Sequence, residues 1–228
     1  MKILLNDVLQ KSDAPKQLLS PALYDRYAYY TPIEIGLNNP EFINSIGIGF
    51  TDATSFKIEI KHTKESEELT ELVAIVFEQN GLYMLPKDLN NVTKIKITCD
   101  GTYIGRIAAG RAIKLGTSIA KEPSYMSTNE PRETLSGQVI EGAGGYFFRQ
   151  VSLDTRYKIG LTEITEIEKA YQGQISKGYP FFLLFEEEAL RLPFLRLYAN
   201  DINQQNLSFE SSVNRFLFSK RFTFKERF

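Results

Sequence analysis

The segment VNRFLFSKRFTFKERF, residues 213–228, decides the fold class. Its phenylalanines, Phe216, Phe218, Phe222, Phe224 and Phe228, recur at two- and four-residue intervals, with Arg215, Arg221, Lys225 and Arg227 among them. A period of two is the strand period, since successive side chains leave opposite faces of a pleated backbone. The segment reads as one long strand with an aromatic face and a cationic face. Burying a ring is worth about 3 kcal/mol, so five rings supply on the order of 15 kcal/mol before the cost of ordering the chain. A stretch with that much to gain belongs to a core.

The same period recurs upstream. Strand signals begin near Phe42 and become clear over Ser55 to Ile60, where Phe56, Ile58 and Ile60 alternate with Lys57 and Glu59. Lys64 to Glu71 is charged and reads as a solvated loop, Leu72 to Phe77 as an apolar strand, Asn80-Gly81 as a hairpin turn, and Leu82 to Leu85 as its return. Ile95, Ile97 and Cys99 face inward on the next strand, and Asp100-Gly101 reads as a second hairpin turn into Thr102 to Ala108. Short strands separated by turn residues describe an antiparallel sandwich. Ahead of them, Lys2 to Pro32 has no period, and its crowded Tyr24, Tyr27, Tyr29 and Tyr30 suit an arm packed on its own domain or reaching a neighbour.

After Gly110 the texture changes. Residues 117–132 carry Ser, Thr, Pro and charge with little apolar periodicity, so they read as an extended crossing segment. Thr134 to Ile140 and Tyr146 to Ile159 then look like a hairpin whose tip is Gly142 to Gly145. Ile164, Ile167, Tyr171 and Ile175 give one apolar helical stripe, started by Thr162 or Thr165 and stopped by Gly178 and Pro180. Pro180 to Phe185 is a solid apolar run, read as a central strand, and Phe194 to Tyr198 resumes the sheet. The expected fold is mainly β, with two β-sandwich domains. Residues 1–110 form the first, with its N-terminal arm, and residues 111–228 the second, flanked by one α-helix. No internal repeat is visible.

Composition narrows the chemistry. A formal net charge of −1 over 228 residues gives no overall pull toward nucleic acid or an anionic membrane. The single cysteine, Cys99, cannot close an internal disulfide, and no Cys/His set exists for a structural zinc. The first residues lack a signal-peptide pattern and no run is long and apolar enough to span a bilayer, so the expectation is a soluble protein made in the cytoplasm, without membrane insertion. On that expectation the triplets at Asn91 and Asn206 are not glycosylated. The only histidine, His62, lies in a charged, loop-like stretch and Cys99 reads as a packed thiol, which leaves no nucleophile-and-base pair. Gly47-Ile48-Gly49 and Gly142 to Gly145 lack the partners of a nucleotide loop and read as turns. Glu186 to Glu188 reads as a solvated strand end, and the basic residues of the last strand as a guarded edge or subunit contact. No cofactor, metal or catalytic residue is expected.

Gly110-Arg111, Leu115 to Ser118, Glu122-Pro123, Pro131-Arg132, Thr134 to Gln138 and Gly144-Gly145 form a pattern that resembles the minor tail and baseplate structural proteins of tailed bacteriophages. Arg156 to Ile159, Lys177 to Phe182 and Phe222 to Phe228 extend the likeness over about the last half of the chain. The resemblance implies a β-sandwich flanked by one helix that closes into rings, in the manner of distal-tail and tail-tube proteins. It also implies an outer jelly-roll or galactose-binding-like sandwich, which the first half is similar to in texture. The expected function is thus that of a structural virion protein at the tail tip or baseplate, a homo-oligomer in contact with other tail proteins. The expected contact residues are Glu122, Pro123, Tyr125, Arg132, Gly144, Gly145, Tyr146, Arg221 and Arg227. The other reading is a carbohydrate-binding module in the first domain whose exposed tyrosines stack on host-surface glycans. A hydrolase using Asp52, Asp100 or Glu186 to Glu188 has no spacing to support it.

Overall fold

Isoleucine and valine at alternate positions, with lysine, glutamate and threonine between them, commit the middle of the first half to strands that bury one face. In a computed structural model the protein is mainly β. The structure describes residues 2–4, 6–20, 25–78 and 81–114, Thr165, and the later strands named below. In chain order the strands are β1 (Lys2–Leu4), β2 (Tyr27–Ala28), β3 (Ile33–Thr51), β4 (Ser55–Lys64), β5 (Glu67–Val76), β6 (Gly81–Cys99), β7 (Tyr103–Gly110), β8 (Ala112–Lys114), β9 (Ile119–Ala120), β10 (Ser124–Ser127), β11 (Arg132–Glu133), β12 (Val139–Ile140), β13 (Phe147–Asp154), β14 (Phe181–Phe185), β15 (Leu190–Leu197), β16 (Ser208–Ser212), β17 (Arg215–Ser219) and β18 (Arg221–Glu226). Between β1 and β2 lie a 3-10 turn, Val8–Lys11, and a short helix α1, Lys16–Leu19.

Two antiparallel sheets dominate. One has the order β2-β7-β3-β6-β4-β5, and the other runs β10-β13-β18-β15-β14-β1-β8, with β9 also on β13. In the first, β3 and β6 are long and pair twice. Ile33 to Gly36 lie opposite Lys94 to Ile97, and Ser45 to Ile48 lie opposite Gly81 to Met84. Register breaks between Gly36 and Ser45 are the bulges at which a strand turns. The inward side chains of β3 to β7 form one cluster, among them Ile35, Ile43, Ile58, Ile60, Val92, Ile104 and Phe56. A second cluster, Leu4, Leu82, Ala108, Ala112, Phe182 and Leu184, joins this sheet to the other. Gly47 lies directly under the Phe182 ring, where any β-carbon would collide with it. Backs of β3, β6 and β7 are therefore covered too, which explains the unbroken burial of Ile104 to Gly110.

The first sheet contains a repeat that the sequence hides. The shift that carries Asp52 onto Asp100 carries β3 onto β6 and β4 onto β7. It turns the β3–β7 pairs Thr51↔Ile104, Gly49↔Arg106 and Gly47↔Ala108 into the β6–β4 pairs Cys99↔Phe56, Ile97↔Ile58 and Ile95↔Ile60. The two strand–loop–strand halves are thus related by a pseudo-twofold axis. Between residues 33–64 and 81–112 only Leu37/Leu85, Asp52/Asp100 and Thr54/Thr102 are identical, so no sequence pattern betrays it.

Several expectations need correction. The terminal segment is two strands: β17 pairs with β16 in a ribbon of its own, whereas β18 pairs with β13 and β15. Neither Asn80-Gly81 nor Asp100-Gly101 makes a hairpin, because β4 separates β5 from β6 and β3 separates β6 from β7. Glu67 to Glu71 is strand, and the real hairpin joins β4 to β5 through Glu65-Ser66. The strand at Val139–Ile140 pairs with β11, and β13 takes β10, β18 and β9, so the expected hairpin between the two is not formed by the described residues. The N-terminal arm is integral: β1 pairs with β14 and β8 in the second sheet, and Val8, Leu9, Ala14 and Leu18 join the core of the first. The expected helix over Thr162 to Ile175 lies outside the described residues apart from Thr165, which is helical.

The β4–β5 turn closes on Lys64↔Glu67 with φ of 50° at Glu65 and 73° at Ser66. Two central residues in the left-handed region define the type I′ turn that Asn-Gly fits best. Glu65→Asn with Ser66→Gly is expected to stabilise the protein by about 1 kcal/mol, read as a higher urea midpoint at unchanged slope. A lower midpoint would contradict this turn.

Candidate functional site

Two polar clusters tie separate segments of the described structure together, one at the end of the first sheet where its crossing loops meet and one at the seam between the arm and β7. At the first, each loop holds the other. Asp52 Oδ1 accepts from the backbone N–H groups of Thr102 (2.9 Å) and Tyr103 (3.1 Å), and its Oδ2 accepts from Thr102 Oγ1 (2.6 Å). Asp100 mirrors this: Oδ1 accepts from the N–H groups of Thr54 (2.8 Å) and Ser55 (3.0 Å), and Oδ2 from Thr54 Oγ1 (2.5 Å). These donors hold both carboxyls below the usual aspartate range, the threonine hydroxyl contributing most in each case. Asp-Gly at 100–101 belongs here for a packing reason, because a β-carbon at Gly101 would meet Asp52 Oδ1 at 2.6 Å and the Ala53 nitrogen at 2.7 Å. Asp52 and Asp100, two of the carboxylates considered for hydrolysis, are therefore brought to one end of the sheet and used as loop clasps.

At the seam, Arg106 is 1% exposed and Asp7 4%. Arg106 Nη2 donates to Asp7 Oδ2 at 2.8 Å, and Nη1 reaches the Ser20 carbonyl at 3.5 Å. Asp7 Oδ2 also accepts from Gln10 Nε2 (3.2 Å), while Oδ1 accepts from the N–H groups of Leu9 (3.1 Å) and Ala109 (3.1 Å). Burial pushes the Asp7 carboxyl up, and Arg106 with the Ala109, Gln10 and Leu9 donors pulls it down. The cluster ties the 3-10 turn, the end of α1 and β7 together. Sequence reading missed it. Neither residue stands out there: Asp7 follows a short apolar run, and Arg106 lies inside the strand expected over Thr102 to Ala108.

His62 is strand, not loop. It continues the inward row of Ile58 and Ile60, is buried, and has Nε2 3.6 Å from Glu71 Oε1, which Lys87 Nζ holds at 2.5 Å. Cys99 is half-buried, and burial pushes its thiol up, away from nucleophilic use. Among the described residues no three His, Cys, Asp or Glu side chains gather to hold a metal ion. No helix among them is long and apolar enough to cross a membrane.

Of the expected contact residues, Tyr125 lies in β10 opposite Arg149, Arg132 in β11 opposite Ile140, and Arg221 in β18 opposite Asp154. Tyr125 and Arg221 thus belong to one sheet and Arg132 to a separate ribbon. Glu122, Pro123, Gly144, Gly145, Tyr146 and Arg227 lie outside the described residues, as do Glu186 to Glu188. No family model, no curated protein and no solved structure matches the chain.

Two outcomes follow from the bonding at these places. Replacing Arg106 with Met is expected to cost about 3–5 kcal/mol, because Asp7 is left buried without its cation, and Asp7→Ala should cost a similar amount. The double variant should fall short of the summed loss by more than about 1 kcal/mol in denaturant titration. For Asp52 and Asp100 the folded pKa is depressed, so their contribution is present above the unfolded value and is lost as pH falls through the folded one. Carboxyl carbon resonances should show both still mostly ionised near pH ~3.9, where an ordinary aspartate is half-protonated. An ordinary midpoint at either would mean that the clasp is not formed.

Proposed function

We propose that this chain is a structural subunit of a bacteriophage tail, assembling with copies of itself and with neighbouring tail proteins at the tip or baseplate. The observation that carries the reading is the position of β10, which with β9 comes from the stretch expected to meet a neighbour: among the described strands it ends the eight-stranded sheet. An end strand offers a row of main-chain donors and acceptors to an adjoining chain. The motif resemblance over the last half of the chain supports the same reading. So does the use of polar groups: the Asp52, Asp100, Asp7 and Arg106 side chains hold loops and arm to the framework. Virion localisation and a non-enzymatic role belong to this proposal.

The glycan-binding reading has less behind it. Among the tyrosines of residues 25–114 only Tyr30 is exposed, at 87%, whereas Tyr27 and Tyr29 pack against the core, and a sugar platform asks for more than one open ring.

The test is the state of assembly. Multi-angle light scattering and electron microscopy of the purified full chain, alone and with the products of its neighbouring genes, should show closed rings, and Tyr125→Asp should reduce the ring population. A chain that stays outside every such particle, while the neighbouring tail proteins assemble without it, would overturn the proposal.

A further inference from the structure

The two edges of the six-stranded sheet are treated differently. On the β7 side, β2 pairs with Tyr103 and Ile104, and the arm covers the rest, with Asp7 accepting the Ala109 N–H. On the other side β5 ends the sheet, and no described strand lies beyond it. β5 keeps perfect register with β4 over ten pairs, and it contains no proline, no lysine and no bulge. Those are devices that normally keep an edge from pairing, and the charges β5 does carry, Glu67, Glu68 and Glu71, lie in its first half, which leaves Leu72 to Val76 unguarded.

The direction of the free backbone groups follows from the turn. A two-residue loop closes on a pair that exchanges both hydrogen bonds, here Lys64 and Glu67, and such pairs alternate along an antiparallel ladder. Leu69, Glu71, Val73 and Ile75 therefore bond to β4, and the Phe77 N–H to Thr54 O bond of 2.8 Å continues the same phase. Thr70, Leu72, Ala74 and Val76 aim their N–H and C=O groups outward. The same residues carry the exposed apolar row: Leu72 is 61% exposed, Val76 73%, and Ala74 between them is exposed. Backbone valence and apolar surface thus coincide on one short segment.

We propose that β5 pairs antiparallel with β5 of a second copy of this chain, about a twofold axis through Ala74. In that register Ala74 faces Ala74, Leu72 faces Val76 and Val76 faces Leu72, all three being outward-bonding pairs, while Val73 faces Ile75 on the inner side. The four large exposed side chains of the two copies then stand side by side across the new ladder, each shielding part of its neighbour. Charge fits the same register. Thr70 meets Glu78 and Glu71 meets Phe77, so the acidic end, Glu67, Glu68 and Glu71, never lies opposite itself. This contact involves the first sheet and does not rest on the proposed tail role.

Ala74→Pro removes one outward N–H and no bond to β4, and Leu72→Lys replaces the apolar Leu72–Val76 cross-strand contact with a charge without touching the backbone. Light scattering of the full chain from about 1 μM to about 1 mM should show the wild-type particle doubling in mass as concentration rises. Both variants should stay at half that mass with unchanged circular dichroism and melting temperature. In the wild type, hydrogen exchange at Leu72, Ala74 and Val76 should slow with concentration. Should a variant unfold, the other variant and the wild-type exchange data still decide. Concentration-independent exchange at these amides, or variants that associate as the wild type does, would overturn the pairing and leave β5 to another partner or none.

Discussion

The buried pair Asp7–Arg106 is the constraint that the rest of the structure depends on. The chain starts in the second sheet with β1 and must cross to the first before β2, and that crossing carries the 3-10 turn and α1 over the margin of β7. Leu9 and Leu18 give this passage apolar contact, but apolar contact alone does not fix direction or register. A guanidinium that must find a carboxylate, and a carboxylate that must also accept from Ala109 and Leu9, fix both. Two charges out of water cost several kcal/mol unless their bonds are complete, so the arm has one well-bonded placement. Asp13, bonded to the Gly36 N–H at 2.6 Å, extends that placement onto β3.

From this seam the two sheets become one body. The arm fixes β7, β7 pairs with the half of β3 that carries Gly47, and Gly47 is the flat spot on which Phe182 of β14 rests. β14 in turn pairs with β1, which returns the path to the residues just before Asp7. The circuit explains why Phe182 and Leu4 share a small cluster with Leu82 and Ala108, distinct from the large isoleucine core. It also explains the small residues of β7, Gly105, Ala108, Ala109 and Gly110: a strand covered on both sides has little room for bulk.

What was legible in the sequence was the two-residue period. Phe56, Ile58 and Ile60, and likewise Ile95 and Ile97, lie buried where alternation places them, and the solid run at β14 is an interior strand. Turn chemistry misled, for a definable reason. Asn-Gly and Asp-Gly report a tight local bend, not which strand comes next, and Gly101 is required by the approach of Asp52 and Ala53 from the opposite loop. The real hairpin uses Glu-Ser, held in the left-handed region by the ten-pair ladder behind it. His62 was hidden by Lys61 and Lys64, which leave on the other side of the strand or at its end. Arg106 and Asp7, far apart in the chain, carry no local signal of being partners, since only the folded arm brings them together.

The matched halves of the first sheet have a mechanical consequence. Each crossing loop both gives a carboxylate to the other and takes one from it, so a loop that lifts away must break all six clasp hydrogen bonds at once, those of Asp52 and those of Asp100. Neither loop frays by itself; the two open together or stay shut, and that end of the sheet behaves as a single latch. The aspartate and threonine common to both halves, Asp52 with Thr54 and Asp100 with Thr102, are the letters this mutual grip requires.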